Sequence, residues 1–177
     1  MKNKYIRIIL SKRTIQKRVK QLAKQISSDY AGTTPVIICM LKGAIYFFTD
    51  LVKNISIPVT IEFARLSSYK NGTTGGDMEL VADIKEKIEG KHVILVEDIV
   101  DSGKTLAYFI DMLNKKNPAS VKICTFLDKL TRREVDVKSE YVGFDIDCGF
   151  VIGYGLDYAE KYRELPYLAE VLDPSKI

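Results

Sequence analysis

Val93-Ile94-Leu95-Val96-Glu97-Asp98-Ile99-Val100-Asp101-Ser102-Gly103-Lys104-Thr105 reads as a buried strand that stops at two adjacent carboxylates, followed by a short loop that feeds a helix. The loop carries a third carboxylate, two hydroxyls, a glycine and a lysine. Oxygen ligands for a hard cation therefore stand beside backbone amides able to hold a phosphate. The leading ligand that needs both is a phosphorylated sugar that also carries a pyrophosphate.

Outward from this stretch, strand-like and helix-like segments alternate. Tyr5–Leu10 reads as a strand and Lys12–Ser28 as an amphipathic helix, with Ile15, Val19, Leu22 and Ile26 at helical spacing. Pro35–Met40 is a continuously apolar strand, Gly43–Val52 a helix, and Val59–Leu66 an alternating, half-exposed strand. Ser67–Asp77 reads as a long loop. Gly90 breaks the chain before strand His92–Val96, helix Lys104–Lys116 and strand Ser120–Leu127. Apolar Val/Ile runs joined by helices predict an α/β fold, with a mostly parallel twisted sheet flanked by helices. Ligands of such sheets bind beyond the carboxyl ends of the strands, where the acidic cluster falls. No repeat or interdomain linker interrupts the chain, so residues 1–177 are expected to form a single domain.

Composition narrows the function classes. The chain is 46% hydrophobic and 28% charged, and its apolar stretches are too short to span a bilayer. Residues 1–30 carry nine Lys/Arg against one acid, while residues 31–177 carry 18 against 22. The basic excess thus belongs to one segment, and in its predicted helix Lys12, Arg13, Lys17, Arg18, Lys20 and Lys24 read as a solvated face. No aromatic residue interrupts that basic run, which disfavours a nucleic-acid role. Cys39, Cys124 and Cys148 are scattered among apolar residues and read as buried free thiols in a reducing, cytoplasmic setting. No signal peptide is apparent at Met1–Tyr5. His92, the single histidine, reads as the polar start of a strand, so histidine triads and zinc sites have little support.

Gly103-Lys104-Thr105 invites comparison with the phosphate loop of nucleotide triphosphatases. That loop needs a glycine where this chain has Asp98, and a carboxylate there repels a triphosphate. The dinucleotide fingerprint is absent as well. Glu97–Thr105 instead resembles the phosphoribosyl-pyrophosphate signature of the type I phosphoribosyltransferases: two acids, two hydrophobics, then Asp-Ser-Gly-Lys-Thr after an apolar strand. The similarity extends to the bacterial hypoxanthine (hypoxanthine-guanine) phosphoribosyltransferases. Leu41-Lys42-Gly43-Ala44 looks like that family's pyrophosphate turn, and Arg65–Tyr69 like the start of its mobile loop. Asp128-Lys129 matches its purine-contacting lysine, and Phe150–Tyr158, with Arg163 after it, is similar to its base-binding hood. Leu130-Thr131 departs from the family pattern, where many bacterial relatives carry a proline.

The resemblance implies the type I fold, with a small hood subdomain formed by the N-terminal strand and the segment from about 128 to 177, and a mobile loop at about 67–78. The reaction it implies transfers 5-phosphoribosyl from phosphoribosyl pyrophosphate to hypoxanthine, and to guanine, giving IMP or GMP and pyrophosphate in purine salvage. Two alternatives stand beside it: a donor-binding regulator of nucleotide genes, or an enzyme that prefers xanthine. By family match, Asp101 is the general base, and Asp101, Ser102, Gly103, Lys104 and Thr105 hold the 5′-phosphate. Glu97 and Asp98 serve the ribose hydroxyls and Mg2+, and Asp157 is a further metal contact. Neighbours on a strand point to opposite sides, so Glu97 and Asp98 are not expected to chelate one ion side by side. Lys129, Phe150, Val151 and Asp157 are assigned to the purine, Lys42, Gly43 and Arg163 to pyrophosphate, and Ser68 and Tyr69 to a lid. The family also implies a homodimer or homotetramer whose other partners are small molecules, with neither nucleic acid nor membrane.

Overall fold

A computed structural model describes residues 5–68, 78–82 and 84–177. In chain order the elements are β1 (Ile6–Leu10), α1 (Lys12–Asp29), β2 (Val36–Met40), α2 (Ile45–Asn54), β3 (Thr60–Ser68), β4 (Met78–Ala82), β5 (His92–Val100), α3 (Lys104–Asn114), β6 (Ser120–Asp128), β7 (Tyr141–Asp145), β8 (Val151–Ile152) and β9 (Leu168–Val171). A six-stranded sheet runs in the order β4-β3-β2-β5-β6-β7. All its pairings are parallel except that of β3 with β4. This is the mostly parallel sheet that the apolar runs predict. β1, β9 and β8 form a second, antiparallel sheet, so residues from both halves of the sequence meet there. Within the 128–177 segment, β7 joins the edge of the large sheet instead.

Both faces of the central strands are covered. On β5, Ile94 and Val96 pack with α1 and α2, while Val93 and Leu95 pack with α3. Each such fully buried side chain contributes about 1.5–3 kcal/mol of transfer free energy. Helix α1 starts at Ser11, whose hydroxyl accepts from the Thr14 N–H at 3.2 Å. It buries Ile15, Val19, Leu22 and Ile26, the four positions that the spacing picks out. Its basic face is mostly exposed, with one correction. Arg18 is half-buried, and its guanidinium donates to the carbonyls of Val142 (2.6 Å) and Gly143 (2.9 Å). It clamps α1 to the edge strand β7, and a lysine cannot make that forked contact.

Two boundaries differ from expectation in ways that matter for the site. β5 does not stop at Val96: it runs through Glu97 and Asp98 to Val100, because β6 pairs with it as far as Asp128. The carboxylates therefore lie on a rigid strand rather than at a frayed end. α2 begins at Ile45, which leaves Leu41–Ala44 as a turn, with a cis peptide between Leu41 and Lys42. His92 does open its strand: Nδ1 is 2.8 Å from the Ser120 hydroxyl, and the ring meets Tyr30 edge-on. All three cysteines are free. Burial, then the nearby Glu97 and Asp98, push the Cys39 thiol up to about 12, so it is not a nucleophile at neutral pH.

Candidate active site

The carboxyl end of β5 leads into the N-terminus of α3, and the two line a cavity of about 150 Å³ with Glu97, Val100, Asp101, Ser102, Gly103 and Thr105. Gly103 caps the helix with φ 83°, a left-handed conformation that L side chains rarely adopt. Gly103 has no side chain to cap the helix, so the first-turn amides depend on other partners and suit an anion. Ser102 Oγ makes only a long contact, 3.4 Å, with the Lys104 N–H. Behind the turn, the N–H groups of Glu134 and Val135 donate to the Ser102 carbonyl at 3.0 and 3.2 Å and hold it in place.

Glu97 and Asp98 face opposite sides of the sheet, as strand geometry demands. Glu97 lines the α3 cavity, whereas Asp98 abuts the turn before α2. A Cβ placed on Gly43 would lie 1.6 Å from Asp98 Oδ2, and one on Gly155 would lie 1.9 Å from the Gly43 carbonyl oxygen. Only glycines permit this stacking, which seats the 41–44 turn between β5 and the segment after β8. Burial raises the carboxyl of Glu97 well above the usual range, and the charge of Asp98 adds to it. Burial likewise pushes Asp98 up to about 6, against the opposing pull of the Ile99 N–H and, further off, Arg163. Two carboxyls with raised pKa at a strand end are poised to meet a cation or ligand hydroxyls.

The remaining charged groups already have partners. Asp101 Oδ2 is 3.2 Å from Arg132, while its Oδ1 is buried with no hydrogen-bond partner. Lys42 pairs with Glu160 at 2.7 Å. Arg163 pairs with Asp157 at 2.8 Å and donates to the Gly155 carbonyl at 2.7 Å. Lys104 pairs with Glu134, and Arg133 with the buried Asp128. Sequence reading missed Arg132, Arg133, Glu134 and Glu160. For Glu160 a signal existed, since it stands three residues from both Asp157 and Arg163.

Lys129 ties the large sheet to the segment that precedes β8. Its N–H donates to the Val100 carbonyl at 3.0 Å, and its ammonium donates to the Cys148 carbonyl at 2.8 Å. Leu130–Arg132 form a short 3-10 turn, and the lysine before it is anchored. Phe150 is 47% exposed and touches Tyr158 edge-on, so it is not a core aromatic but an open flat face. Val151 is buried, which leaves only its main chain for a ligand. Ser68 ends β3, and Tyr69 lies outside the described residues. Among the described residues no three His, Cys, Asp or Glu side chains gather into a metal cage. The unpartnered Glu97 Oε2 and the separate Asp98 instead suit an ion such as Mg2+, which takes one or two carboxylates and draws its other oxygens from water and substrate phosphates.

Comparison with known proteins shows the family of the chain. The family described as the phosphoribosyl transferase domain matches residues 7–159. The chain is 42% identical over 176 residues to the hypoxanthine-guanine phosphoribosyltransferase of Bacillus subtilis, across 99% of this chain and 97% of that protein. It is 48% identical to a crystal structure of the Bacillus anthracis hypoxanthine-guanine phosphoribosyltransferase, with a TM-score of 0.89 and coverage of 93% and 98%. The Trypanosoma cruzi hypoxanthine phosphoribosyltransferase, solved with its product IMP, is 38% identical with a TM-score of 0.90 and coverage of 99% and 98%. The chain belongs to the phosphoribosyltransferase family.

Proposed function

We propose that this protein is a purine-salvage enzyme. It transfers the 5-phosphoribosyl group of phosphoribosyl pyrophosphate to hypoxanthine, and also to guanine, giving IMP or GMP and pyrophosphate. Lys129 is the observation that carries this reading. Its main chain is tied to Val100 in the wall of the cavity beside α3 and its ammonium to Cys148, two residues before the open ring of Phe150. One residue thus joins an anion-holding turn to an aromatic platform, the two halves a nucleotide needs.

The turn Asp101, Ser102, Gly103, Lys104, Thr105 holds the 5′-phosphate on the first-turn amides of α3. The purine stacks on Phe150 and meets the main chain of Val151 and the carboxylate of Asp157. The ammonium of Lys129 donates hydrogen bonds and accepts none, so it favours a 6-oxo purine over the 6-amino group of adenine. As the bond between ribose and pyrophosphate breaks, its electron pair leaves with pyrophosphate, and a purine nitrogen takes the ribosyl carbon. Asp101 accepts the proton from purine N7. Lys42, Gly43 and Arg163 hold the leaving pyrophosphate, and Glu97 and Asp98 hold the ribose hydroxyls and the water shell of Mg2+. That ion, with Asp157 as a further contact, supplies neutralisation of charge on the departing phosphates. Ser68 and Tyr69 belong to a lid that keeps water from the donor. The hood is the three-stranded sheet. The protein works as a homodimer or homotetramer in the cytoplasm, without nucleic-acid or membrane partners.

The test is turnover with hypoxanthine, guanine, xanthine and adenine, with and without magnesium. Expected are magnesium-dependent IMP and pyrophosphate, and a kcat/KM for hypoxanthine at least about a hundredfold above that for adenine. Equal use of adenine, or no nucleotide product, overturns the reading.

A further inference from the structure

Glu160 lies on the two cations assigned above to pyrophosphate. One carboxylate oxygen is 2.7 Å from Lys42 Nζ and the other is 3.3 Å from Arg163 Nη2, so a single side chain bridges both. Lys42 lies 118 residues away in sequence, and the contact is therefore a product of the fold. The backbone that delivers it is unusual. Ala159 and Glu160 have φ of 50° and 63° between Tyr158 and Lys161, whose main chains hydrogen-bond each other in both directions at 3.1 Å. Such a turn is normally built from Asn and Gly, because left-handed φ is unfavourable for other residues. The Glu160 N–H is further fixed by Asp157 Oδ2 at 2.8 Å.

Stability does not account for this arrangement. The Glu160 side chain is 66% exposed, and exposed ion pairs add little to folding. Lys42 and then Arg163 hold its carboxyl below the usual range, so it is anionic throughout the neutral region. We infer that Glu160 is a built-in stand-in for pyrophosphate, a displaceable counter-ion that occupies Lys42 and Arg163 until donor or product arrives. The inference rests on the pyrophosphate roles given to those two cations. A carboxylate has one charge and two oxygens, so the more highly charged pyrophosphate displaces it, but only after two ion pairs are broken. The same competition favours expulsion of pyrophosphate after the reaction, a step that often limits turnover in enzymes that close over their substrates.

The test measures pyrophosphate inhibition and IMP binding in the wild-type enzyme and in the Glu160→Gln, Glu160→Asp and Lys42→Gln variants. Glu160→Gln is expected to tighten pyrophosphate inhibition and lower the donor KM by roughly twofold to tenfold, the scale of one or two exposed ion pairs. Glu160→Asp, which keeps the charge, stays close to wild type. IMP affinity stays constant, since IMP carries no pyrophosphate. If Lys42→Gln weakens pyrophosphate binding while Glu160→Gln leaves it unchanged or weaker, the role of Glu160 is overturned and the subsite stands. If pyrophosphate does not inhibit the wild type and Lys42→Gln changes nothing, the subsite itself is wrong and the inference falls with it.

Discussion

Asp101 combines two environments on one carboxylate: an oxygen against the Arg132 guanidinium and an oxygen buried without a donor. The second can take a proton without first losing a hydrogen bond, which is what a general base requires. Asp101→Asn keeps the size and loses that basicity. Its kcat should fall by about a hundred- to ten-thousandfold while donor KM stays within a few-fold, as read by steady-state kinetics. An unchanged kcat removes Asp101 from the chemistry. At this scale the residues proposed to bind stand out in the sequence because they share one short stretch, Glu97–Thr105. Their counter-ions were less legible, although the spacing of Glu160 from Asp157 and Arg163 offered one signal. Arg132 and Glu160 reach the site through a 3-10 turn and a left-handed turn, and nothing in their local sequence marks their distant partners.

Among the elements, the long apolar strands and the amphipathic α1 followed from periodicity alone. The extension of β5 to Val100 did not, because a strand containing Glu97 and Asp98 breaks the apolar run that marks it. Hydrogen bonding to β6 overrides that local signal. The short strands β8 and β9 were equally hidden, since β8 has two residues and exists only through its pairing with β9. The contact of Gly155 with Gly43 shows how such elements set the site. Gly155→Ala puts a methyl 1.9 Å from a carbonyl oxygen at φ 104°. It should cost about 1–3 kcal/mol of stability and displace the 41–44 turn. A thermal melt and kcat/KM for the donor should both drop, with donor KM most affected. A variant with wild-type KM would separate that junction from pyrophosphate binding.

For the whole molecule, the acidic pair puts a charge cost into the native state. Burial raises Asp98 to about 6, so the folded protein binds a proton that the unfolded chain, near 3.8, releases. Stability therefore falls as pH rises from about 4 to about 6 and stays low above it, and Glu97 adds with the same sign. Asp98→Asn removes the cost and relieves Glu97. In urea titrations the variant should exceed wild type by about 1–3 kcal/mol at pH 7.5, with the gap closing towards pH 4. A gap that is constant across that range contradicts the cost. The molecular charge pattern was legible in part. The basic excess on α1 is mostly a solvated face, as expected, yet Arg18 is a structural clamp, a role visible only once β7 lies beside the helix.

The pairing of β1 with β9 has a separate consequence. Ile6 stands opposite Val171, so the first and last strands of the chain are immediate neighbours, reinforced by Arg7 and Glu170 at 2.5 Å. A short peptide that joins these strands, with a new opening at the Gly90 turn ahead of β5, would reorder the sequence and leave every strand register intact. A chain permuted in this way is therefore expected to keep the fold, which a thermal melt close to that of the original order would bear out.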